Sequence, residues 1–289
     1  MRFRCDSVAI IHETLSFIVG FPPKELSLPK PRQSPTADLV ALACAGALVA
    51  GFAAWRLPQP PLSRRQWLIA AGVTAVFAVL AWLARGVNWS GALAGSVIAF
   101  VLSACEIRMF YLLLAVFAVT LIATRLGTRR KQQLLAAESA NGRSAGQVMA
   151  NLGVAGAIAA FAPPGWTVLA IAALAEAAAD TSSSEIGLAF SGRTVLITTW
   201  RSVAPGVDGG VSLHGTAAAL AAAAVIALTA RALGLIPAHQ AAIVIYAGFL
   251  GALVDSLLGA LLEKPGLLNN DLVNLLGTSA AVVIAWLIA

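Results

Sequence analysis

Long apolar segments alternate with short polar ones along most of this chain. Each apolar segment is close to the ~20 residues that an α-helix needs to cross a hydrocarbon core about 30 Å thick. None shows the two-residue alternation of a membrane β-strand. The pattern therefore predicts an all-α, polytopic transmembrane helical bundle with eight to nine spans. The nine candidate spans lie at about 37–55, 67–84, 89–105, 107–125, 147–162, 166–183, 215–232, 240–262 and 271–289.

The composition favours a membrane protein and excludes the common soluble classes. Of the 289 residues, 59% are hydrophobic and 11% are charged, whereas a soluble domain has about 25% charged residues. The chain contains no GxSxG, HExxH or Walker-type phosphate motif. Its net charge of +6 is typical of basic cytoplasmic loops beside anionic lipid. No basic run with interleaved aromatic residues indicates a nucleic-acid partner.

The distribution of lysine and arginine predicts the orientation in the membrane. If the loop at 126–146 is cytoplasmic, five of the 19 basic residues fall on the opposite side, which leaves 14 on the cytoplasmic side. This excess predicts a cytoplasmic N-terminus by the positive-inside rule. The five residues on the other side are Arg56, Arg64, Arg65, Arg108 and Arg231.

Two regions are predicted along the chain. Residues 1–36 are interpreted as a cytoplasmic, Pro-rich basic tail that can lie on the membrane surface. Residues 37–289 are interpreted as a single transmembrane domain, in which 37–125 form scaffold spans and 141–289 carry the functional site.

Polar side chains gather at one end of successive spans in the second half. An unpaired ionisable group inside a membrane costs at least about 2.5–3.5 kcal/mol, so this convergence predicts a functional site. By the orientation above, the site lies at the cytoplasmic face. The polar segments are 141–151, 176–187, 198–216, 248–263 and 269–279.

Helical spacing groups the carboxylates of these segments. Glu176 and Asp180 are four residues apart and share one helix face, and Thr181 and Glu185 form the next stripe. Asp255 lies on another span, where glycines leave room for a neighbouring backbone or a ligand. An oxygen-rich, sulfur-free set of this kind favours Mg²⁺. The nearby amides are those of Asn151, Asn270 and Asn274, and the predicted metal ligands are Asp180, Glu185 and Asp255.

The segment 198–216 and two arginines predict a phosphate site. Glycines free backbone N–H groups to point towards an anion, and the next helix begins with its positive N-terminal end. Arginine binds phosphate oxygens through two parallel N–H donors. The residues are Gly206, Gly209, Gly210, Ser212, Gly215 and Thr216 of the segment, together with Arg143 and Arg201.

Structural roles stay open for several of these residues. Glu176 could pair with an arginine or form a hydrogen bond between helices, and Asn270 could cap the last helix. His214 could carry protons or be a surface residue. The basic run at 129–131 is interpreted as a determinant of topology alone.

The polar blocks, in this order, resemble an integral membrane family long described as a domain of unknown function. The family includes the phytyl-phosphate kinase of vitamin E synthesis and phytol salvage, and an uncharacterised human transmembrane protein. The resemblance covers about residues 40–289. It rests on the blocks GRSAGQVMANLGVAG, ADTSSSEIG, VAPGVDGGVSLHGT, GFLGALVDSLLGALLE and NNDLVNLLGT.

The resemblance implies a membrane-embedded kinase that converts a phytyl- or geranylgeranyl-type isoprenyl monophosphate to the diphosphate. The donor would be a nucleoside triphosphate, CTP or ATP, with Mg²⁺. The partners would be the isoprenyl phosphate lipid and the membrane, and the sequence leaves oligomerisation open. By motif match, the polar positions of the family fall on Asn151, Asp180, Thr181, Glu185, Gly209, Gly210, Ser212, Asp255, Ser256 and Asn274.

The polar segments described above and this reaction together predict the full site. The predicted catalytic residues are Asp180, Glu185, Asp255, Arg143 and Arg201. The predicted binding residues are Gln147, Asn151, Glu176, Thr181, Gly206, Asp208, Gly209, Gly210, Ser212, Gly215, Thr216, Ser256, Asn270 and Asn274.

An ion-coupled transporter or lipid translocase is the alternative, because such proteins also use intramembrane carboxylates. A transporter places its acids near the bilayer midplane and often consists of two related halves. This sequence shows no convincing internal repeat, and its acids lie towards the ends of spans.

Overall fold

The computed structural model describes residues 35–56, 63–134, 142–161, 165–190 and 192–289. The predicted tail at 1–36 lies almost wholly outside these residues. The described chain forms ten α-helices, one π-helical turn and three short strands. In chain order these are α1 (Pro35–Arg56), α2 (Arg64–Leu83), α3 (Trp89–Cys105), α4 (Arg108–Arg125), α5 (Thr128–Gln133), α6 (Ala145–Phe161), α7 (Trp166–Phe190), β1 (Thr194–Leu196), β2 (Ser202–Val203), β3 (Gly210–Val211), α8 (Leu213–Ala232), α9 (Ala238–Leu258), the π-helical turn (Gly259–Glu263) and α10 (Asn270–Ile288).

The predicted all-α, polytopic membrane fold is confirmed. Each of the nine predicted apolar segments coincides with one long helix, and α5 is an additional short helix. Helix α7 runs to Phe190, beyond the end predicted at 183. The segment 184–190 contains no proline, and its glycine at position 187 does not end the helix.

Six of the described helices meet the length and hydropathy of a membrane span: α1, α2, α4, α8, α9 with its π-helical turn, and α10. Helices α3 and α6 are apolar but have 17 residues each. Helix α7, which carries three carboxylates, is not among the six. The count of nine spans therefore stays a prediction.

Helix α7 is the central helix of the bundle. It contacts α4, α6, α8, α9 and α10, and every residue from 171 to 179 is buried. The first half of α7 explains this position, because residues 168–175 are apolar on every side and such a helix is buried, while alanine lets neighbouring backbones approach closely. Consequently, Glu176 and Glu185 of α7 are buried inside the bundle, and Asp180 is partly buried.

Successive long helices run in opposite directions, so their termini meet at two ends. We call one of these the polar end. It contains the starts of α1, α3, α6, α8 and α10 and the ends of α2, α4, α7 and α9. At the opposite end, Arg108 Nη1 donates to the carbonyl of Gly234 (3.0 Å), and Cys105 Sγ contacts the carbonyl of Ala159 (3.1 Å).

A small antiparallel sheet between α7 and α8 was not predicted. Strand β1 is central, with Val195 opposite both Ser202 of β2 and Val211 of β3. Strands of two or three residues are too short to show a period-two pattern, so the sequence contained no detectable sign of them.

Candidate functional site at the polar end

Asp38, at the start of α1, connects three helix N-termini. Its carboxylate accepts hydrogen bonds from Ser90 Oγ at the start of α3 (2.9 Å) and from the Gly146 N–H at the start of α6 (3.3 Å). Ser90 Oγ also accepts from the Ala145 N–H (3.2 Å). A carboxylate is stabilised by the positive end of a helix dipole. Asp38 therefore anchors the first helix to the polar end.

The carboxylates of Glu176, Asp180 and Asp255 form what we call the carboxylate cluster. Asp180 and Asp255 are close enough to Glu176 to interact with it electrostatically. Glu176 is 1% exposed and Asp255 is 8% exposed. Glu176 Oε1 has no hydrogen-bond partner among the described residues. An unsatisfied buried carboxyl oxygen is rare in a folded protein, so this atom marks a candidate ligand contact.

Gly277 makes room for the two buried carboxylates. A Cβ built on Gly277 would lie 2.6 Å from Glu176 Oε1 and 3.0 Å from Asp255 Oδ2. Both carboxyl groups therefore converge on the same backbone position of α10. The predicted close approach along α9 is also confirmed, because a Cβ on Gly248 would lie 3.1 Å from the Glu176 nitrogen.

A chain of amides leads from Asp255 to α6. In the orientation that satisfies its neighbours, the Asn274 amide nitrogen donates to Asp255 Oδ2 (3.2 Å). Its oxygen accepts from Asn151 Nδ2 (3.1 Å) and from Asn270 Nδ2 (3.3 Å). Asn151 Nδ2 also donates to the carbonyl of Gln147 (2.9 Å). Four predicted residues from three helices are thus linked to one another.

Asn270 does not cap α10. The N-cap is Asn269, whose Oδ1 accepts from the Leu272 N–H (2.9 Å). The capping alternative for Asn270 is therefore wrong, because the helix begins at Asn270 itself. The side chain of Asn270 instead faces Asn274.

Lys131 and Glu185 form a buried ion pair. The Lys131 side chain is 2% exposed, and its ammonium group also donates to the carbonyls of Ala123 (2.9 Å) and Thr124 (2.8 Å) at the end of α4. Lys131 is therefore more than a determinant of topology. Glu185, predicted as a metal ligand, has a cationic partner in this structure.

Arg143 lines a cavity and contacts α7. Its backbone pairs with the segment before α3: Arg143 N–H donates to Gly86 O (3.1 Å), and Asn88 N–H donates to Arg143 O (2.9 Å). Its Nη2 is 3.4 Å from Thr181 Oγ1, next to Asp180 in the sequence. This contact places the guanidinium of Arg143 against α7, the helix that carries Glu176 and Asp180.

A cavity of about 270 Å³ lies among α2, α3, α4, α6 and α7. We call it the basic cavity, because its described lining contains four cations and no carboxylate. It also reaches Asn151 and Ala177, one residue from Glu176. The cations are Arg85, Arg125, Lys131 and Arg143.

The glycine-rich loop packs against the π-helical turn. Gly209 has a φ of +77°, and a Cβ there would lie 2.3 Å from that of Ala260. Only glycine fits this conformation and this close contact. Ser212 caps α8, because its Oγ accepts from the Gly215 N–H (3.2 Å). These contacts give the glycines a packing role, and anion binding by the loop stays a prediction.

The remaining predicted residues lie around this loop and along α9. Arg201 is exposed in the turn between β1 and β2 and is not among the described residues that line the basic cavity. Ser256 Oγ donates to the carbonyl of Ala252 (3.1 Å) within α9. Gly206 and His214 are exposed, whereas Asp208, Gly210 and Thr216 are partly buried.

The described residues contain no group of three or more His, Cys, Asp or Glu side chains placed to hold a metal ion. Mg²⁺, however, usually takes one or two carboxylates and completes its shell with water and substrate phosphates. The carboxylate cluster fits that requirement, since two of its members converge on Gly277 and one has an unsatisfied oxygen. The magnesium site stays a prediction.

Sequence reasoning missed four residues at this end. Asp38, Arg85 and Arg125 lie at the termini of spans interpreted as scaffold, and Lys131 lies in a basic run. The sequence indicated these residues only by their location, because the alternating directions of the spans bring that part of the chain to the same end as the polar segments. Membership of a cavity cannot be read from one span alone.

The sequence profile described as "Integral membrane protein DUF92" matches residues 72–282, from α2 to α10. The chain belongs to this family. An uncharacterised membrane protein of Methanocaldococcus jannaschii is 32% identical over 223 residues, which cover 75% of this chain and 91% of that protein. The predicted resemblance to this integral membrane family is therefore confirmed.

Two further relatives of this DUF92 chain come from photosynthetic organisms. An uncharacterised membrane protein of Synechocystis is 32% identical over 187 residues, which cover 62% of this chain and 72% of that protein. Protein VTE6, chloroplastic, of Arabidopsis thaliana is 31% identical over 191 residues, which cover 62% of this chain and 57% of VTE6. No solved structure matches the chain.

Proposed function

We infer that this protein is a membrane-embedded kinase that transfers a phosphoryl group to an isoprenyl monophosphate. The observation that carries this proposal is the position of Arg143, which lines the basic cavity and approaches Thr181, next to Asp180. Arg143 thus lines the basic cavity and also contacts α7, the helix that carries Glu176 and Asp180. The resemblance to the family that includes phytyl-phosphate kinase supports the same reaction.

The proposed reaction needs charge neutralisation and positioning more than acid–base chemistry. An anionic oxygen of the lipid monophosphate attacks the terminal phosphorus of the nucleoside triphosphate. A new P–O bond forms, the bond to the bridging oxygen breaks, and the nucleoside diphosphate leaves with that electron pair. Because the acceptor oxygen is already anionic, no general base is required. Arg143 would stabilise charge on the phosphoryl group in transit.

Bound Mg²⁺ would neutralise the donor phosphates, which is the usual role of the metal in phosphoryl transfer. Asp255, with Asp180 or Glu176, would hold it. This assignment replaces Glu185 of the predicted metal set with Glu176, because Glu185 is paired with Lys131. The orientation of the polar end towards the cytoplasm, where nucleotide is available, is part of the proposal.

The test uses purified protein in detergent with Mg²⁺. Each of CTP, ATP, GTP and UTP is offered with geranylgeranyl monophosphate and with phytyl monophosphate, and the lipid diphosphate is followed by mass spectrometry. We expect product with at least one pair and a loss of at least 100-fold in kcat for Asp255→Asn and Asp180→Asn. Glu106→Gln, which changes a carboxylate at the opposite end, serves as the matched control.

Two results would overturn the proposal. Folded protein that forms no diphosphate from any pair would exclude the kinase, and full turnover by Asp255→Asn and Asp180→Asn would exclude the role of the carboxylates. A fluorescence thermal-unfolding curve establishes folding for each variant.

One observation favours the ion-coupled transporter as the second candidate. Glu176 lies ten residues after the start of α7, which places it about 15 Å along the helix and near the middle of a ~30 Å hydrocarbon core. The two candidates differ in one requirement, since a kinase consumes nucleotide in detergent whereas a transporter needs a sealed compartment. Proton or Na⁺ uptake into proteoliposomes that is lost in Glu176→Gln would favour the transporter.

A further inference from the structure

We propose that the basic cavity binds a lipid that has a single apolar chain and a phosphate head. In the proposed kinase this lipid is the acceptor, and to that extent the assignment rests on the proposed function. The phosphate lies against the cations at the mouth of the cavity, and the chain lies between α2, α3, α4 and α6.

The walls of the cavity suit an apolar chain. Phe77 and Phe117 pack edge to face there, with ring centroids 5.3 Å apart. Water in a cavity needs polar partners, and an apolar cavity stays dry or takes an apolar ligand. The other large apolar lining residues are Leu113, Val116, Leu121, Val148 and Leu152.

The mouth of the cavity suits an anion. Arg125 Nη2 donates to the carbonyl of Ala84, the residue before Arg85, so the guanidinium of Arg125 lies at the junction between α2 and α3, where Arg85 also lines the cavity. Lys131 is partnered by Glu185, whereas no described carboxylate lines the cavity near the arginines. Clustered cations are stabilised by an anion, and arginine binds phosphate through paired N–H groups.

The backbone at the mouth has an unusual conformation. Arg85 has a φ of +55°, in the left-handed region that residues with a side chain rarely adopt. This position carries an arginine rather than a glycine, and Arg85 lines the cavity.

The head of the lipid would lie next to the carboxylate cluster. Arg143 and Asn151 both line the cavity, and Asn151 leads through Asn274 to Asp255. A phosphate held by Arg85, Arg125 and Arg143 is therefore on the side of the cavity where the proposed transfer occurs. The chain lies on the other side, towards Phe77.

Gly95 offers a way to fill the cavity without disturbing the helices. It lies on α3 and lines the cavity, and a Cβ there would meet only Val148 Cγ1, at an ordinary contact distance of 3.8 Å. The rest of a leucine side chain at this position would enter the cavity. Gly46→Leu on α1, where a Cβ would meet nothing within 4 Å, is the matched control.

The experiment measures direct binding to the full chain in detergent, without nucleotide, by native mass spectrometry. The probes are geranylgeranyl monophosphate, geranylgeraniol and inorganic phosphate. We expect the monophosphate to bind at least tenfold more tightly than the alcohol or free phosphate. Arg85→Gln and Arg125→Gln should each weaken binding of the monophosphate at least tenfold, and Gly95→Leu should abolish that binding. Arg129→Gln, an exposed arginine outside the cavity, and Gly46→Leu should bind as wild type.

Three results would overturn the assignment of the cavity. These are wild-type binding by folded Gly95→Leu, equal weakening by Arg129→Gln and Arg125→Gln, and inorganic phosphate that binds as tightly as the lipid. The last result would identify a site for free phosphate. The outcome is separable from that of the kinase test. If the lipid binds specifically but no diphosphate forms, the lipid site is supported and the kinase proposal is excluded. If diphosphate forms and Gly95→Leu leaves the KM for the lipid unchanged, the kinase proposal is supported and the lipid site in this cavity is excluded.

Discussion

Each end of the helix bundle contains an ion pair near a helix terminus, and the two pairs differ in burial. At the polar end, the side chains of Lys131 and Glu185 are 2% and 11% exposed. At the opposite end, those of Arg108 and Glu106 are 44% and 28% exposed. An exposed pair is screened by solvent and contributes little, whereas buried charges depend on their partner. Ions at the polar end are therefore buried, although burial of a charge is unfavourable in free energy. Buried charges of this kind are expected of a functional site.

The largest effect on stability is expected from breaking the buried pair. Lys131→Met or Glu185→Gln leaves one uncompensated buried group, which should lower the free energy of unfolding by about 3–5 kcal/mol. The double variant Lys131→Met/Glu185→Met should lose much less than the sum, because no charge is left unpaired. Denaturant unfolding in detergent measures all three, and strictly additive losses would contradict the pairing.

The next effect is expected at Gly277. Gly277→Ala places a methyl group 2.6 Å from Glu176 Oε1, and overpacking of this kind should cost about 1–3 kcal/mol. The carboxylates must also move apart, so turnover should fall together with stability. Gly46→Ala, where nothing lies within 4 Å of the new Cβ, should be neutral or stabilise by up to about 1 kcal/mol. Equal effects of the two substitutions would show that the space which Gly277 leaves for Glu176 and Asp255 is unimportant.

Helix caps at the two ends provide a smaller test. Ser212 caps α8 at the polar end and is partly buried, whereas Ser63 caps α2 at the opposite end and is exposed. Ser212→Ala should cost about 1 kcal/mol, and Ser63→Ala should cost less, because water can replace its hydroxyl. Thermal unfolding of the two variants measures which one loses more stability. A larger loss in Ser63→Ala would contradict the expected difference between the two ends.

The smallest effect is expected from the exposed pair. A hydrogen bond from Arg108 lowers the pKa of Glu106 below its ordinary value of about 4.5. The folded chain therefore binds this proton less tightly than the unfolded chain, so stability is gained above the ordinary pKa and lost as pH falls through the lowered one. Unfolding between pH 6 and pH 3 should show a wild-type advantage over Glu106→Gln that disappears in acid. A difference that is constant with pH would argue against the ion pair.

The helices were predictable because their signal is local. Each apolar segment is long enough to be recognised alone, and all nine became helices at nearly the predicted positions. The convergence of the polar segments on one end was also predictable, since antiparallel neighbours alternate their termini. Asn274 contacts both Asp255 and Asn151, so these three side chains lie together, and their role in a functional site stays a prediction.

The partners of individual side chains were not predictable. Lys131 and Glu185 are 54 residues apart, and nothing in either segment indicates which carboxylate the lysine meets. The role of Gly277 depends on two other helices, because Glu176 and Asp255 reach it from α7 and α9. Asn269 and Asn270 are chemically identical neighbours, and only the register of α10 decides which one caps the helix.

The sequence by itself determined that the chain spans a membrane as helices, because hydrophobicity and segment length are additive local properties. It also determined which residue types gather near one end. Only the tertiary structure decided that α2, α3 and α4 supply walls of a cavity, and that Arg143 lines this cavity while it contacts α7, the helix that carries Glu176 and Asp180. A cavity is what packed side chains leave unfilled, so it depends on how separate helices pack against one another.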